Sequence, residues 1–440
     1  MRKKLFIKTW GCQMNVYDSA RMADVLAPLG YDRTEDQTQA DLIVLNTCHI
    51  REKASEKLFS ELGRLRAVQK ARETQGVKVM IVVAGCVAQA AGEEISRRAP
   101  YVGLVVGPQA YHHLPEMLAR AEQGRGACVL DTDFPAESKF DFLPQEQANQ
   151  KGISAFLAIQ EGCDRFCSYC VVPYTRGLEY SRPLAAIVDE ARVLVDGGAR
   201  EITLLGQNVN AYHDETSGKR LADVIEKLAA LDGLLRIRYT TSHPLDMDDA
   251  LIAAHRDIPK LMPFLHLPVQ SGSDKILAAM NRKHKADDYR RVVEKLKIAQ
   301  PKLALSSDFI VGFPDETEAD FEATLQIVRD VTYAQAFSFK YSRRAGTPAA
   351  VMPTQVPEEI KEERLARLQA LLRQQQTDFN KACVGQTMSV LVENPSRHEG
   401  FMFGRSAYMQ AVRLKGDAAM VGTEHTVTIT RGDPNSLTAA

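Results

Sequence analysis

Cys163-Asp164-Arg165-Phe166-Cys167-Ser168-Tyr169-Cys170 sets three thiols at the spacing Cys-x3-Cys-x2-Cys. The segment before it, Ala155-Phe156-Leu157-Ala158-Ile159, reads as a buried strand. The thiol loop therefore begins where a strand ends, which is where α/β folds place their chemistry. One loop with this spacing can wrap one face of an iron–sulfur cube, and three cysteines on four irons leave one iron open. An open position marks a working metal centre rather than a sealed structural one. Tyr169 is placed to shield such a cluster from water. The alternative is a zinc knuckle, but zinc wants a fourth Cys or His nearby, and none lies between Cys170 and His213.

Working outward, 440 residues suffice for two or three domains. Hydrophobic residues make 45% and charged residues 25%, ordinary proportions for a globular chain. The formal charge of −1 excludes a globally basic nucleic-acid binder, so any phosphate-binding footprint must be local. Met1 to Trp10 carries basic residues but no apolar run long enough for a secretion signal. No segment approaches the roughly 18 apolar residues of a membrane span. A cytoplasmic location without membrane contact is expected. Eight cysteines in such a chain suggest metal or redox work rather than disulfides.

Toward the N-terminus, Leu5–Trp10, Asp41–Thr47 and Val79–Gly85 read as strands, each followed at once or after one residue by a cysteine: Cys12, Cys48 and Cys86. Helical patterns over Ser19–Leu29 and Glu52–Ala71 lie between them. Strands alternating with helices imply a parallel sheet covered on both faces. All strand C-termini of such a sheet share one edge, so the three thiols converge although far apart in sequence. A second three-cysteine iron–sulfur site is the functional reading; three small buried cysteines are the alternative. Asn15 and Asn46 are placed either to hydrogen-bond cluster sulfurs or to make turns. Val102–Gly107 reads as a further strand, and Cys128, inside Ala127–Leu130, as core filler. From Arg51 to Arg72 seven basic residues face three acidic ones, a net +4 on a helix that could guide a phosphate backbone.

Asp131 to Lys151, rich in Pro, Asp, Glu, Gln and Asn, reads as a linker. Beyond the thiol loop comes a helix, Leu184–Gly197, and then strands at Glu201–Leu205, Leu235–Tyr239, Phe264–Leu267, Ala304–Val311 and Ala336–Lys340. With the first strand these make about six βα units, the pattern of a partial or complete parallel barrel. Polar residues gather at or near the strand ends: Gln207 and Asn208, Ser242, Gln270 and Ser271, and Asp308. Gly312-Phe313-Pro314-Asp315-Glu316 closes the fifth. His243 and His266 could act as acid–base groups, though loop and core histidines are commoner.

Pro357–Asn380 reads as a charged helix with Leu365, Leu368, Leu371 and Leu372 on one side. Short strands are expected at Thr387–Val392, Ala407–Leu414, Ala419–Val421 and Glu424–Ile429, hence a small β-barrel of a kind that often binds oligonucleotides. Phe401, Phe403, Arg405 and Tyr408 offer stacking surfaces or core packing, and Cys383 has no assigned role.

The spacing of Cys163, Cys167 and Cys170, with an aromatic before the last, resembles the radical S-adenosylmethionine (SAM) superfamily. Gly11-Cys12-Gln13-Met14-Asn15-Val16-Tyr17-Asp18-Ser19, Asn46-Thr47-Cys48, Gly85-Cys86 and the run from Cys163 to Gly177 extend the resemblance to the radical SAM methylthiotransferases along nearly the whole chain. Gly11–Asn15 and Gly206-Gln207-Asn208-Val209-Asn210-Ala211-Tyr212 look like the branch acting on N6-isopentenyladenosine in tRNA (2-methylthio-N6-dimethylallyladenosine synthesis). Pro-Lys-Asn after the first Cys, usual in the branch modifying an aspartate of ribosomal protein S12, is absent. So is Lys-Val-Asn, usual in the threonylcarbamoyladenosine branch. Ala20-Arg21 departs from the family, which usually has an acidic residue after Ser19.

The resemblance implies an α/β protein of three domains and a linker: a parallel-sheet methylthiotransferase domain (1–130), the linker (131–150), a radical SAM (βα)6-type partial TIM barrel (151–378) and a small β-barrel TRAM domain (379–440). It implies two [4Fe–4S] clusters, one on Cys163, Cys167 and Cys170 and an auxiliary one on Cys12, Cys48 and Cys86, with no catalytic residue beyond these ligands. SAM would be held by Gln207, Asn208, Ser242, Gln270, Ser271 and Asp308. One SAM yields a 5′-deoxyadenosyl radical that takes hydrogen from C2 of the adenine; another methylates the sulfur that passes to C2. The implied partners are a tRNA anticodon stem-loop, an electron donor such as a flavodoxin or ferredoxin system, and iron–sulfur carrier proteins, with the enzyme a monomer. Rival readings are methylthiolation of S12, a metal-stabilised RNA-binding protein without turnover, and an electron-transfer protein.

Overall fold

The computed structural model describes residues 2–49, 54–124, 128–135, 137–144 and 152–440. The chain divides into two compact units. The first comprises Met1–Gln150, Glu161–Asp164 and Val171–Arg182; the second comprises Lys151–Gln160, Arg165–Cys170 and Pro183–Ala440. Among the described residues no helix is long and apolar enough to cross a membrane.

The first unit is built on a parallel sheet of β1 (Lys3–Thr9), β2 (Tyr31–Arg33), β3 (Leu42–Thr47), β4 (Met80–Gly85), β5 (Leu104–Val106) and β6 (Val129–Asp131). Their order across the sheet is β2-β1-β3-β4-β5-β6. The chain runs outward from β1 to β2, then returns to the other side of β1 for β3. The connections thus reverse direction between β1 and β3, and such switch points open the crevice in which doubly wound sheets bind ligands. β3 and β4 are almost wholly buried, which is why they read as unbroken apolar runs. Ile43, Leu45, Ile81, Val83 and Val105 pack on one face with Leu58, Leu62 and Leu65 of α2 (Ala54–Glu73). The first helix, α1, spans Gln13–Leu26 and so starts six residues before the predicted Ser19, directly after Cys12.

Three other expectations change. Cys128 precedes β6 rather than lying mid-strand, and is only partly buried against the core. In α2, Arg64 pairs with Glu61, Arg66 with Glu73 and Arg72 with Asp41. Three of the five described basic residues of this helix thus have acidic neighbours; Arg51, Glu52 and Lys53 lie outside the described residues. The predicted linker is partly packed. A 3-10 turn at Lys139–Asp141 sinks Lys139 completely, while Ala136 and residues 145–150 lie outside the described residues.

In the second unit, β7 (Ser154–Ala158), Glu201–Leu205 and Arg236–Tyr239 form one parallel three-stranded sheet, with Glu201–Leu205 central. Phe264–His266, Ala304–Val311 and Gln335–Lys340 form another. A bridge between Ile237 and Leu261 links the two series. The six strands match the predicted βα units. Helices follow the strands, for example Leu184–Asp196 and Glu318–Val331. Thr317 caps the latter by accepting from the Asp320 N–H while the Asp320 carboxylate accepts from the Thr317 N–H.

The C-terminal strands Thr387–Pro395, Phe401–Ser406, Ala411–Lys415, Ser436–Ala439 and Glu424–Asp433 close a barrel in that order. The predicted strand Ala407–Leu414 is in fact a turn followed by Ala411–Lys415, and Phe401–Ser406 is a strand of its own. Ala418–Met420 is a 3-10 turn, not a strand, because the Asp417 carboxylate caps the Ala419 N–H. Cys383 gains a place in the barrel core beside Met388, Val390 and Met402, its thiol donating to the Phe379 carbonyl at 3.3 Å.

His255 carries a pH prediction. It is 2% exposed and its Nε2 lies 2.6 Å from the Tyr239 hydroxyl. Burial pushes its pKa from 6.5 down to about 4. The unfolded chain therefore binds this proton more tightly, and stability falls as pH drops through the window from 6.5 to 4. At pH 5 the loss from this group is about 2 kcal/mol. Denaturant unfolding at pH 7 and pH 5 should show that His255→Gln reduces the acid loss by about this amount; an unchanged loss contradicts the assignment.

Candidate metal centres

In the first unit, β1, β3 and β4 end at Gly11-Cys12, Cys48 and Gly85-Cys86. Cys12 and Cys48 thus flank the switch point between β1 and β3. Cys12 is the N-cap of α1 and Cys86 the first residue of α3 (Cys86–Arg98), where helix ends favour anionic sulfur. The two glycines are required by this crowding. A Cβ on Gly11 would stand 2.2 Å from the Cys48 Cβ, and one on Gly85 would stand 2.4 Å from Asn46 Oδ1. Both glycines also have positive φ, 123° and 88°.

Hydrogen bonding to Cys48 is the chief cause that draws the Cys12 thiol down to about 6, against burial and with help from the Arg176 charge and Asn15. Burial pushes Cys86 the other way, opposed by Arg176. Asn15 and Asn46 are not turn residues. Asn15 Nδ2 donates to the Trp10 carbonyl at 3.0 Å, and its Oδ1 lies 3.5 Å from Cys12 Sγ. Asn46 Nδ2 donates to the Asn15 carbonyl at 2.8 Å and to Ser19 Oγ at 2.9 Å.

The same unit holds a buried ionic quartet that sequence reading missed. Arg176, on the short helix Val172–Arg176, pairs with Glu161 at 2.6 Å and Asp18 at 2.7 Å. Lys139 reaches Glu161 at 2.7 Å and Asp18 at 3.4 Å, and donates to the Pro108 carbonyl at 2.8 Å. None of the four is more than 2% exposed. The Gly177 carbonyl, next to Arg176, accepts from the Cys163 N–H at 3.2 Å.

In the second unit, Cys167 and Cys170 sit on a clamped turn. The Cys170 N–H bonds the Cys167 carbonyl at 2.9 Å. Ser168 donates through its N–H to Met280 O at 3.0 Å and through Oγ to Ala279 O at 2.7 Å. These carbonyls end the helix Asp274–Ala279 and would otherwise lack partners. Phe166 adopts a left-handed φ of 47°, held by Asn281 Nδ2 on its carbonyl at 2.9 Å. The buried guanidinium of Arg282 lies 3.7 Å from Cys167 Sγ and donates to the Pro268 carbonyl at 2.6 Å. It is a fixed cation beside a thiol that must be anionic to ligate metal. Tyr169 packs against Ile276, Met280, Phe313 and Tyr341.

The strand-end polar residues fare differently. Gln160, fully buried, accepts through Oε1 from the N–H groups of Gln207 at 2.9 Å and Asn208 at 3.2 Å. Asn208 Nδ2 donates to Asp246 at 2.9 Å. Asn208 Oδ1, Ser242 Oγ, Gln160 Nε2 and His243 Nε2 are buried with no hydrogen-bond partner among the described residues. Each such atom costs about 1–3 kcal/mol unless a ligand satisfies it. Ser271, by contrast, is committed to Thr324 Oγ1 at 3.2 Å and to the Ser273 N–H at 3.2 Å. Gln270 pairs through its backbone with Asp308 and Ile310. Asp308 lies 3.6 Å from His266 Nε2. Burial and the Arg282 charge push His243 far below its usual range, so it stays neutral. Among the described residues no three His, Cys, Asp or Glu groups close round a single ion.

Three stretches of the chain match known families. Residues 4–107 match the uncharacterized protein family UPF0004, residues 157–328 the Radical SAM superfamily, and residues 381–440 the TRAM domain. The Radical SAM match marks the chain as an enzyme and implies a [4Fe–4S] cluster and SAM. Among solved structures, the radical SAM methyltransferase TsrM from Kitasatospora setae, with cobalamin and a [4Fe–4S] cluster, is similar at 13% identity and a TM-score of 0.60, over 80% of this chain and 77% of that one. The cobalamin-dependent SAM radical enzyme OxsB is similar at 10% identity and a TM-score of 0.55, over 84% of this chain and 56% of that one. At these identities the likeness is one of fold. The order UPF0004, Radical SAM, TRAM fits the domain architecture of the radical SAM methylthiotransferases.

Proposed function

We propose that the chain is a tRNA methylthiotransferase, converting N6-isopentenyladenosine beside the anticodon to its 2-methylthio derivative. The observation that carries this reading is the second cysteine set, Cys12, Cys48 and Cys86, at the switch point of its own sheet. Radical cleavage of SAM alone has no use for it. When bound, a cluster on Cys163, Cys167 and Cys170 with SAM would supply the radical that breaks an aromatic C–H bond, and a cluster on the second set would supply the sulfur.

The chain's own residues suit these tasks. The hydrogen bond with Cys48, helped by the charge of Arg176, draws the Cys12 thiol down against burial. Arg282 offsets the charge of Cys167. Asn208 and Ser242 offer unsatisfied polar atoms to SAM, Gln207 and Gln270 follow the ends of neighbouring strands, and Asp308 lies within the strand Ala304–Val311. Ser271 supports this site from the scaffold side through Thr324. The TRAM barrel would hold the RNA, as its match suggests, while the target base leaves the loop stack at a cost of a few kcal/mol. Domain limits of 1–130, 151–378 and 379–440 accompany the proposal.

A competition assay tests the substrate. Anticodon stem-loops carrying N6-isopentenyladenosine, threonylcarbamoyladenosine or plain adenosine, and ribosomal protein S12, would be offered together with SAM and reductant under anaerobic conditions. Methylthiolation confined to the isopentenyl stem-loop supports the reading. Preference for S12 or for the threonylcarbamoyl loop contradicts it.

A further inference from the structure

The buried quartet Arg176, Glu161, Asp18 and Lys139 is neutral as a set, so ion pairing alone explains its stability. It does not explain its placement. Arg176 Nη2 lies 3.2 Å from Asn15 Oδ1, which itself lies 3.5 Å from Cys12 Sγ. The charge of the same guanidinium opposes the effect of burial on Cys86. The cation thus reaches Cys12 through the Asn15 side chain. Lys139 takes Glu161 at 2.7 Å and Asp18 at 3.4 Å, neutralising the carboxylates that would otherwise cancel it.

We infer that Arg176 is a positioning residue whose buried guanidinium compensates the negative charge gathered at Cys12 and Cys86 and thereby sets the reduction potential of the cluster these thiols hold with Cys48. The inference rests on the reading that this cysteine set carries an iron–sulfur cluster. Cluster potentials follow net charge, hydrogen bonds to sulfur and burial. A fixed cation stabilises the reduced, more negative form and raises the potential. A nearby anion does the reverse. Arg176 and Asp18 therefore act with opposite sign on one cluster, although they belong to one ion pair.

The experiment uses the full chain with Cys163, Cys167 and Cys170 all replaced by alanine, so that only the auxiliary set can load. It is reconstituted with iron and sulfide and titrated potentiometrically, with the reduced cluster read by electron paramagnetic resonance. Asp18→Asn should shift the midpoint to more positive potential. Arg176→Gln paired with Glu161→Gln, which keeps the buried charges balanced, should shift it to more negative potential. Arg176→Lys should restore most of that loss. A merely structural role would shift Asp18→Asn and the paired variant in the same direction, or neither, and either result overturns the inference. If the paired variant fails to load, the sign of the Asp18→Asn shift alone decides. If the parent protein loads no cluster, the auxiliary-cluster reading fails and the inference with it. A loaded cluster with unmoved potentials sinks the inference alone.

Discussion

Alanine at Cys163, Cys167 or Cys170 is expected to abolish both 5′-deoxyadenosine and methylthiolated product, whereas alanine at Cys48 is expected to abolish the product alone. The two outcomes follow from the placement of the two cysteine sets. Cys167 and Cys170 are held by a turn anchored to the end of Asp274–Ala279 and by Arg282. That turn involves none of β1, β3 and β4, so loss of Cys48 leaves it intact. Cys48 stands beside Cys12 and under Gly11 at the switch point, and it is 3% exposed. Its removal strips a proposed ligand and also the hydrogen bond that draws the Cys12 thiol down. Chromatography of nucleosides and of SAM products, run on the same reactions, separates the effects. Loss of SAM cleavage in Cys48→Ala, with normal iron on the other set, would contradict the division of labour.

The second large effect concerns the C-terminal barrel, which Arg236 and Arg238 fasten to the central strands. Arg236, fully buried, donates to Glu424 at 2.7 Å, to the Arg405 carbonyl at 2.7 Å and to the Ser389 carbonyl at 3.1 Å. Arg238 pairs with Glu201 at 2.9 Å and donates to the carbonyls of Ala407 at 2.9 Å and Ser406 at 3.0 Å. Both ends of the Arg238–Glu201 pair are buried. Arg238→Ala would leave a buried carboxylate without its cation and the Ala407 carbonyl without this donor, at a cost of about 3–5 kcal/mol. Arg238→Met with Glu201→Leu removes both charges and should recover much of it. Denaturant unfolding measures the difference. A loss below about 1 kcal/mol for Arg238→Ala, the value typical of exposed pairs, would contradict the account.

The sequence made the sites legible where burial was uniform. β3 and β4 read correctly because strands covered on both faces contain little but Val, Ile, Leu and Ala. β2 was invisible: Tyr31-Asp32-Arg33 is three residues long and mostly polar. Without it the β2-β1-β3 order, and hence the switch point between Cys12 and Cys48, could not be read. Phe401–Ser406 was missed because its pattern is inverted. Gly404 and Ser406 face inward while Phe401 and Phe403 stay partly exposed, with Arg413 and Arg405 stacked over them. Lys139 was hidden in a stretch whose composition is that of a linker. Arg176 and Arg282 carried no local signal at all, since only the folded chain brings them to the thiols. Spacing singled out the candidate cysteines, and long-range packing supplied the charges around them.

The central claim is that one chain carries both a radical-generating and a sulfur-delivering cysteine site. The most direct measurement is anaerobic turnover of the reconstituted protein with SAM, reductant and an anticodon stem-loop carrying N6-isopentenyladenosine, read by mass spectrometry. The account predicts the 2-methylthio nucleoside together with 5′-deoxyadenosine and S-adenosylhomocysteine. 5′-Deoxyadenosine without any methylthiolated nucleoside or protein product, from a chain loaded at both cysteine sets, would contradict it.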